Sequence, residues 1–314
     1  MKIIFFGSSQ FAVPSLKALL DAGYDIPCVI TQPDKARGRG LEISATKVKV
    51  QARAKGIDIY QPANINTFSS VKFLKNLKPD LFIVIAYGQI LSQEVLDISK
   101  PLAINLHASL LPKYRGAAPI NWTIIQGEKE SGVTIIKVIK QMDAGPIILQ
   151  KKLAIEPSDT AVTLEEKLSK LGAEALLEAL REIESGTYKA QAQNSKDATF
   201  APKLKKEDGL IDWGKPAHAI SNLVRGTFPW PGAFTHYKGK SIKIYNTCVR
   251  VSECQSVKEP GAIVDISKDG IAVVTGEGEL IIKELQPEGK RRMTAAEFIL
   301  GYTKRGDVSI FSSK

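Results

Sequence analysis

Residues 102–119 read LAINLHASLLPKYRGAAP, and the fold turns on this stretch. Leu102 to His107 is an apolar run interrupted only at Asn105 and His107. Side chains alternate along a strand, so these two polar groups share one face. From Ala108 onward the apolar alternation gives way to Pro112, Gly116 and Pro119, which makes the second half a loop. In a parallel α/β sheet, a strand that ends in a polar loop is where ligands collect.

Working outward, KIIFF (2–6), CVIT (28–31) and LFIVIA (81–86) are further short apolar runs. Between them lie helical patterns, FAVPSLKALLDAG (11–23) and VKFLKNLK (71–78). The alternation predicts a doubly wound, Rossmann-like α/β domain whose ligand edge carries Gly7-Ser8-Ser9, Ala86-Tyr87-Gly88 and Asn105-Leu106-His107. VTIIKVI (133–139) and PIILQKKLAI (146–155) read as antiparallel or mixed strands joined through QMDAG, and residues 163–186 as the longest amphipathic helix.

Between Thr187 and Glu207 the periodicity dissolves into polar residues ending in Lys203, Lys205 and Lys206, the pattern of a linker. Beyond it, one helical stretch (218–225) precedes SIKIYNT, GAIVDIS, GIAVVTG and ELIIKEL, short strands separated by turn residues. A small β-barrel is the expectation there. The 314 residues, 44% of them hydrophobic, suffice for two such cores. The division expected is 1–189, a linker at 190–207, and 208–314.

No run approaches the roughly 18 apolar residues of a membrane span. Three cysteines, Cys28, Cys248 and Cys254, stand in no metal-binding spacing, which points to a reducing, cytoplasmic setting and to no metal. The net charge of +10 suits a polyanionic partner. Between Asp34 and Lys55 stand Lys35, Arg37, Arg39, Lys47, Lys49, Arg53 and Lys55, opposed only by Asp34 and Glu42. Because DKARGRG is glycine-broken and lacks an apolar period, it reads as a basic loop with a phosphate backbone as its natural partner.

Asp143, in QMDAGPI, follows a strand and could face a neighbouring strand end. Spacing alone leaves open both a His107–Asp143 pair and an ordinary Asp-initiated turn. FFGSSQFA has one glycine where a dinucleotide fingerprint needs three, and no nucleophile elbow, P-loop or HExxH appears. Trp213, Trp230 and Phe234 are read as core rather than as stacking platforms on a barrel face, Trp230 because it lies in the rigid Pro229-Trp230-Pro231, and His218 and His236 receive no catalytic role.

Taken together, FFGSSQFAVPSL (5–16), TQPDK (31–35), GRG (38–40), VIAYGQIL (84–91), INLHASLLPKYRGAAPI (104–120) and MDAGPI (142–147) resemble successive blocks of the methionyl-tRNA formyltransferase family. DGLIDW, FPWPGAFT and LQPEGKRRMTAAEF resemble blocks of its C-terminal domain. The resemblance implies transfer of a formyl group from 10-formyltetrahydrofolate, as co-substrate, to the α-amine of methionine on initiator methionyl-tRNA. It implies Asn105, His107 and Asp143 as catalytic residues and Ser109, Leu110, Leu111 and Pro112 as the folate segment, with Tyr87 and Gly88 beside them at the ligand edge. Arg39 is implied against the acceptor stem, in an electrostatic track with Lys35, Arg37, Lys203, Lys205 and Lys206. Each of those last three, like Lys290, Arg291 and Arg292, reads equally well as solvated surface charge.

The C-terminal domain becomes, by the same resemblance, an OB-like barrel that helps hold tRNA, and the protein is expected to act as a monomer. The sequence departs from the family pattern at Ser8-Ser9-Gln10, at Ser92 and across Leu41 to Thr46, none of which touches the three catalytic positions. Two alternatives stand beside this reading: a folate enzyme acting on an amino-sugar nucleotide, and a catalytically silent RNA-binding protein.

Overall fold

The computed structural model describes residues 1–37, 42–99, 102–250, 258–267, 269–302 and 310–312. The chain packs as two compact units, one of Met1–Pro119, Glu130–Ala154 and Glu165–Pro202, the other of Ile120–Lys129, Ile155–Leu164 and Lys203–Lys314.

In chain order the elements up to Pro202 are β1 (Lys2–Gly7), α1 (Val13–Asp21), β2 (Asp25–Ile30), β3 (Lys35–Arg37), β4 (Glu42–Ser44), α2 (Lys47–Ala54), β5 (Asp58–Tyr60), α3 (Phe68–Leu77), β6 (Leu81–Ile85), α4 (Gln93–Leu96), β7 (Leu102–His107), β8 (Arg115–Gly116), α5 (Pro119–Ile125), β9 (Glu130–Lys137), β10 (Ile147–Ala154), α6 (Ala161–Glu184) and β11 (Phe200–Ala201). Helix starts follow local chemistry. Pro14 opens α1, while the hydroxyls of Thr46, Thr67 and Ser92 accept the orphan N–H groups of Lys49, Ser70 and Val95.

Among the described residues, seven strands form one sheet in the order β10-β9-β7-β6-β1-β2-β5. The five from β7 to β5 run parallel, whereas β9 is antiparallel to β7 and β10 to β9. The domain is therefore a mixed α/β sheet. Consecutive residues Ile3 to Phe6 are all fully buried, so both faces of β1 are covered. Strand order reverses between β1 and β6, which places the ligand crevice of such sheets at their carboxyl ends.

The second unit adds α7 (Ala217–Thr227), β12 (Phe234–Tyr237), β13 (Lys240–Arg250), β14 (Ile263–Ser267), β15 (Gly270–Val274), β16 (Glu279–Pro287), β17 (Met293–Thr294), α8 (Ala295–Tyr302) and β18 (Phe311–Ser312). Its described strands form an antiparallel sheet, β14-β15-β16-β13-β12-β18, with β17 on β16. The register of β13 against β16 slips around Asn246, and such bulges bend a strand and curl the sheet. Ile242, Ile244, Val273, Leu280 and Ile282 build its core with Ile220 and Val224 of α7 and Phe298 of α8.

Trp213 is core, as expected, with its indole N–H donating to Thr235 Oγ1 at 3.0 Å and its ring stacked on Phe311. Trp230 is not: its side chain is 54% exposed. Its rigid proline-flanked setting suggests burial, but it lies between α7 and β12, where no periodic face directs it inward. Phe234 is half-buried.

Candidate active site

β7 delivers Asn105 and His107 to one face because Leu106 alternates between them. Asn105 pairs with Val84 of β6 and Ile136 of β9, and His107 with Thr134, so both sit where the sheet changes from parallel to antiparallel. His107 is buried, and its Nε2 lies 2.9 Å from the carbonyl of Tyr114. A carbonyl only accepts, so Nε2 carries a proton. Nδ1 lies 3.6 Å from Asp143 Oδ1, an ion-pair distance too long for a hydrogen bond.

Asp143 reaches His107 by doubling back. Lys137, the last residue of β9, pairs with Ile104, three residues and about 10 Å below His107 on β7. The connection 138–146 must climb that distance. Asp143 does so with φ at +53°, and its Oδ2 accepts the backbone N–H of Gly116 at 2.9 Å. The turn is tight enough that a Cβ on Gly145 would lie 1.7 Å from the Lys137 carbonyl, which admits only glycine.

Residues 109–112 are stapled to the antiparallel edge. Thr134 Oγ1 donates to the Ser109 carbonyl at 2.6 Å and accepts from Leu111 N at 3.1 Å. Gln150 Nε2 donates to Thr134 Oγ1 and to the Leu111 carbonyl. Ser109 and Leu111 are buried, which leaves Leu110 and Pro112 as the partly exposed side chains of this segment. Across β7, the Asn105 side chain is half-buried, and among the described residues its amide has no hydrogen-bond partner.

Tyr87, expected at the ligand edge, turns its side chain inward. Its ring is 2% exposed, packs edge-on against Phe6, and belongs to the apolar cluster with Phe82 and Val95. Burial pushes its phenol well above the ordinary tyrosine range. Only its backbone stands at the crest, where its carbonyl accepts Ser8 Oγ at 2.9 Å across the β1–β6 crevice. Gly88, at φ +91°, is exposed.

Within the segment read as a basic loop, Lys35–Arg37 and Glu42–Ser44 pair as the antiparallel strands β3 and β4. Arg39 lies outside the described residues, and Lys35 is exposed. Lys49, counted in that charge cluster, is buried and bonds to Asp34 Oδ2 at 2.5 Å. Its donation, reinforced by Gln61, holds the Asp34 carboxyl below the usual aspartate range. Lys203, Lys205 and Lys206 are exposed. Arg291 and Arg292 are not free cations, since they pair with Glu297 and Glu284, and Arg292 covers the Tyr245 ring.

Residues 190–202, read as part of a linker, are held against the first unit. Gln191 bridges Ile147, Thr199 accepts from Tyr114 N and Arg115 N, and β11 pairs with β8. Their polarity serves hydrogen bonds within the unit rather than solvation. Gln193, Arg115, Thr134 and Gln150 are the site-supporting residues that sequence reasoning did not single out. The one available signal was the uncharged amide-rich run QAQNS in a stretch otherwise read as linker.

Among the described residues no group of three His, Cys, Asp or Glu side chains could hold a metal ion. No described helix is long and apolar enough to cross a membrane.

Residues 1–180 match the Formyl transferase family, and residues 203–303 match the family described as Formyl transferase, C-terminal domain. The chain is 46% identical over 303 residues to a methionyl-tRNA formyltransferase of Caldanaerobacter subterraneus subsp. tengcongensis, covering 96% of this chain and 97% of that one. It is 48% identical over 299 residues to that of Thermodesulfovibrio yellowstonii, with 95% of each chain covered. Among solved structures, an N-formyltransferase from Helicobacter canadensis, in complex with folinic acid and dTDP-3-aminofucose, superposes with a TM-score of 0.69 at 21% identity over 91% of this chain and 99% of that one. HypX from Aquifex aeolicus, in complex with tetrahydrofolic acid, gives 0.64 at 18% identity, and this chain spans 47% of its length and 95% of its own. These two share the fold. The full-length similarity at nearly half identity goes further: the chain belongs to the methionyl-tRNA formyltransferase family.

Proposed function

We propose that this protein transfers the formyl group of 10-formyltetrahydrofolate to the α-amine of methionine on initiator methionyl-tRNA, for translation initiation. The observation that carries the reading is similarity at 46% identity along 96% of the chain to a protein of that name. The seam around β7 supports it physically, with an unengaged amide at Asn105 on the same face as the buried imidazole of His107, which the partly buried carboxylate of Asp143 approaches.

Folate supplies an activated formyl group, and in this reading it seats at the carboxyl ends of β6 and β7. The exposed Gly88, the backbone of Ala86 and Tyr87, and the partly exposed Leu110 and Pro112 offer main-chain polar groups and apolar surface for a flat heterocycle, with Ser109 and Leu111 holding that loop in place from beneath. An amine adding to a formyl carbon forms a new C–N bond and builds negative charge on oxygen. The old C–N bond then breaks, the attacking nitrogen gives up a proton and the leaving nitrogen takes one. Asn105 donates to the oxyanion. His107 joins it by exchanging the Tyr114 carbonyl for the substrate, and Asp143 orients the ring and balances its charge.

Within this reading residues 1–189, extended by residues 190–202 packed on them, form the catalytic, Rossmann-like domain, 203–207 connect, and 208–314 form an OB-like barrel that binds tRNA. Arg39, Lys35, Arg37, Lys203, Lys205 and Lys206 contact its phosphates. The protein acts as a cytoplasmic monomer without a metal.

The test is transfer of labelled formyl from 10-formyltetrahydrofolate to initiator methionyl-tRNA, with elongator methionyl-tRNA and an amino-sugar nucleotide as parallel acceptors. Initiator-selective formylation is the expected result. Formylation of the sugar alone would favour the second reading, prompted by the shared fold with the Helicobacter canadensis enzyme. RNA binding with no folate affinity would leave only the silent binding protein.

A further inference from the structure

Gln193 uses its whole amide. Its Oε1 accepts from Arg115 Nε at 3.1 Å and Nη2 at 2.6 Å, and its Nε2 donates to the carbonyls of Asp143 and Gly145, both at 2.8 Å. Two donors and two acceptor sites are all an amide has, so none is left over. The orientation is unambiguous, because a guanidinium can only donate and a carbonyl can only accept.

These bonds join three segments remote in sequence: the loop after β7, the turn that carries Asp143, and residues 190–202. Each end is otherwise constrained. Arg115 is 5% exposed, and its backbone N–H is held by the Thr199 carbonyl. Gln191 exchanges two backbone bonds with Ile147, at 2.7 and 2.8 Å, which fixes the chain just before Gln193. Asp143 occupies the left-handed region at φ +53°, a conformation uncommon for residues other than glycine and supported here by its surroundings. The carbonyls gripped by Gln193 are those of Asp143 itself and of the second residue beyond it.

We propose that Gln193 is a positioning residue for formyl transfer, which sets the separation of Asp143 from His107 by gripping the turn through its backbone. The inference rests on the reading that His107 and Asp143 act in the reaction. Gln193 touches no substrate and acts only through Asp143. Misplacing a reacting group by about 1 Å can cost on the order of a hundredfold in rate.

The experiment compares kcat and both KM values for Gln193→Ala, Gln193→Glu and Asp143→Asn, and for Gln193→Ala combined with Asp143→Asn, with melting curves alongside. Gln193→Ala should lower kcat on the order of ten- to a hundredfold while the KM values for folate and tRNA stay within about twofold. Gln193→Glu keeps an acceptor for Arg115, so the buried guanidinium is not orphaned, but it has no N–H for the two carbonyls; it should be folded and as slow as Gln193→Ala. In the Asp143→Asn background the Gln193→Ala change should add nothing further. Restored activity in Gln193→Glu would mean that Gln193 merely satisfies Arg115, and a full multiplicative loss in the double variant would mean that it does not act through Asp143; either overturns the proposal. A slow Asp143→Asn with a fully active Gln193→Ala sinks this inference alone, whereas a fully active Asp143→Asn sinks the catalytic reading beneath it.

Discussion

Gly116 donates its backbone N–H to Oδ2 of Asp143 at 2.9 Å, so one oxygen of the carboxylate is pinned while the other faces His107. A Cβ at Gly116 would stand 2.6 Å from the Ala201 carbonyl, at a φ of +128° that side chains rarely adopt. Gly116→Ala should therefore cost about 1–3 kcal/mol of stability and displace the donor. Its melting temperature should fall, and kcat should drop on the order of a hundredfold at saturating substrates. A variant with normal turnover would show that this N–H does not hold the carboxylate in place.

Asn105→Ala isolates the other arm of the site. Its amide has no hydrogen-bond partner among the described residues, so its loss should leave the melting temperature nearly unchanged. Removing one oxyanion donor lowers kcat by about a hundred- to a thousandfold, with KM little affected. Steady-state kinetics with each substrate varied separate the two cases: raised KM with intact kcat would assign Asn105 to binding rather than to the transition state.

The Asp34–Lys49 pair anchors the root of the β3–β4 strand pair, and its pH dependence has a definite sign. The folded pKa of Asp34 is depressed, by the Lys49 bond first and Gln61 second. Its contribution is therefore present above the unfolded value of about 3.9 and is lost as pH falls through the lower folded value. Asp34→Asn should melt earlier than the parent at pH 7, and the gap should close as pH falls below the unfolded value and through the lower folded one. An equal gap at both pH values would assign the effect to packing.

Phosphate contacts proposed for the basic segment predict salt dependence. Lys35→Ala and Arg39→Ala should each raise KM for tRNA and reduce the slope of log affinity against log salt by about one, with folate KM unchanged. Parallel slopes for parent and variants would make these residues ordinary surface charge.

The sheet was legible because its strands are short β-branched runs whose burial depends on local composition. KIIFF, LFIVIA and LAINLH became β1, β6 and β7, and the two later runs became the antiparallel edge β9–β10. The placement of Asn105 and His107 on one face followed from alternation alone. The proximity of Asp143 to His107 did not, since β9 exits beside Ile104 and the return climb depends on Gly116, Gln193 and Gly145. Periodicity carries no information about such contacts. Polar composition misled at 190–202, where hydrogen bonds to the first unit look in sequence like a solvated linker. Charge counting misled at Lys49, whose carboxylate partner is fifteen positions away, and the rigid Pro229-Trp230-Pro231 sequence misled at Trp230, which is exposed.

The inward turn of the Tyr87 ring has a pharmacological consequence. An inhibitor seated along Ala86, Tyr87 and Gly88 would read peptide groups instead of side chains, so a point mutation there has little with which to evade it. Ala86 and Gly88 hold φ of +45° and +91°, which narrows the replacements either position tolerates. Resistance to such a compound would have to arise elsewhere, most readily at the partly exposed side chains of Leu110 or Pro112 in the loop after β7.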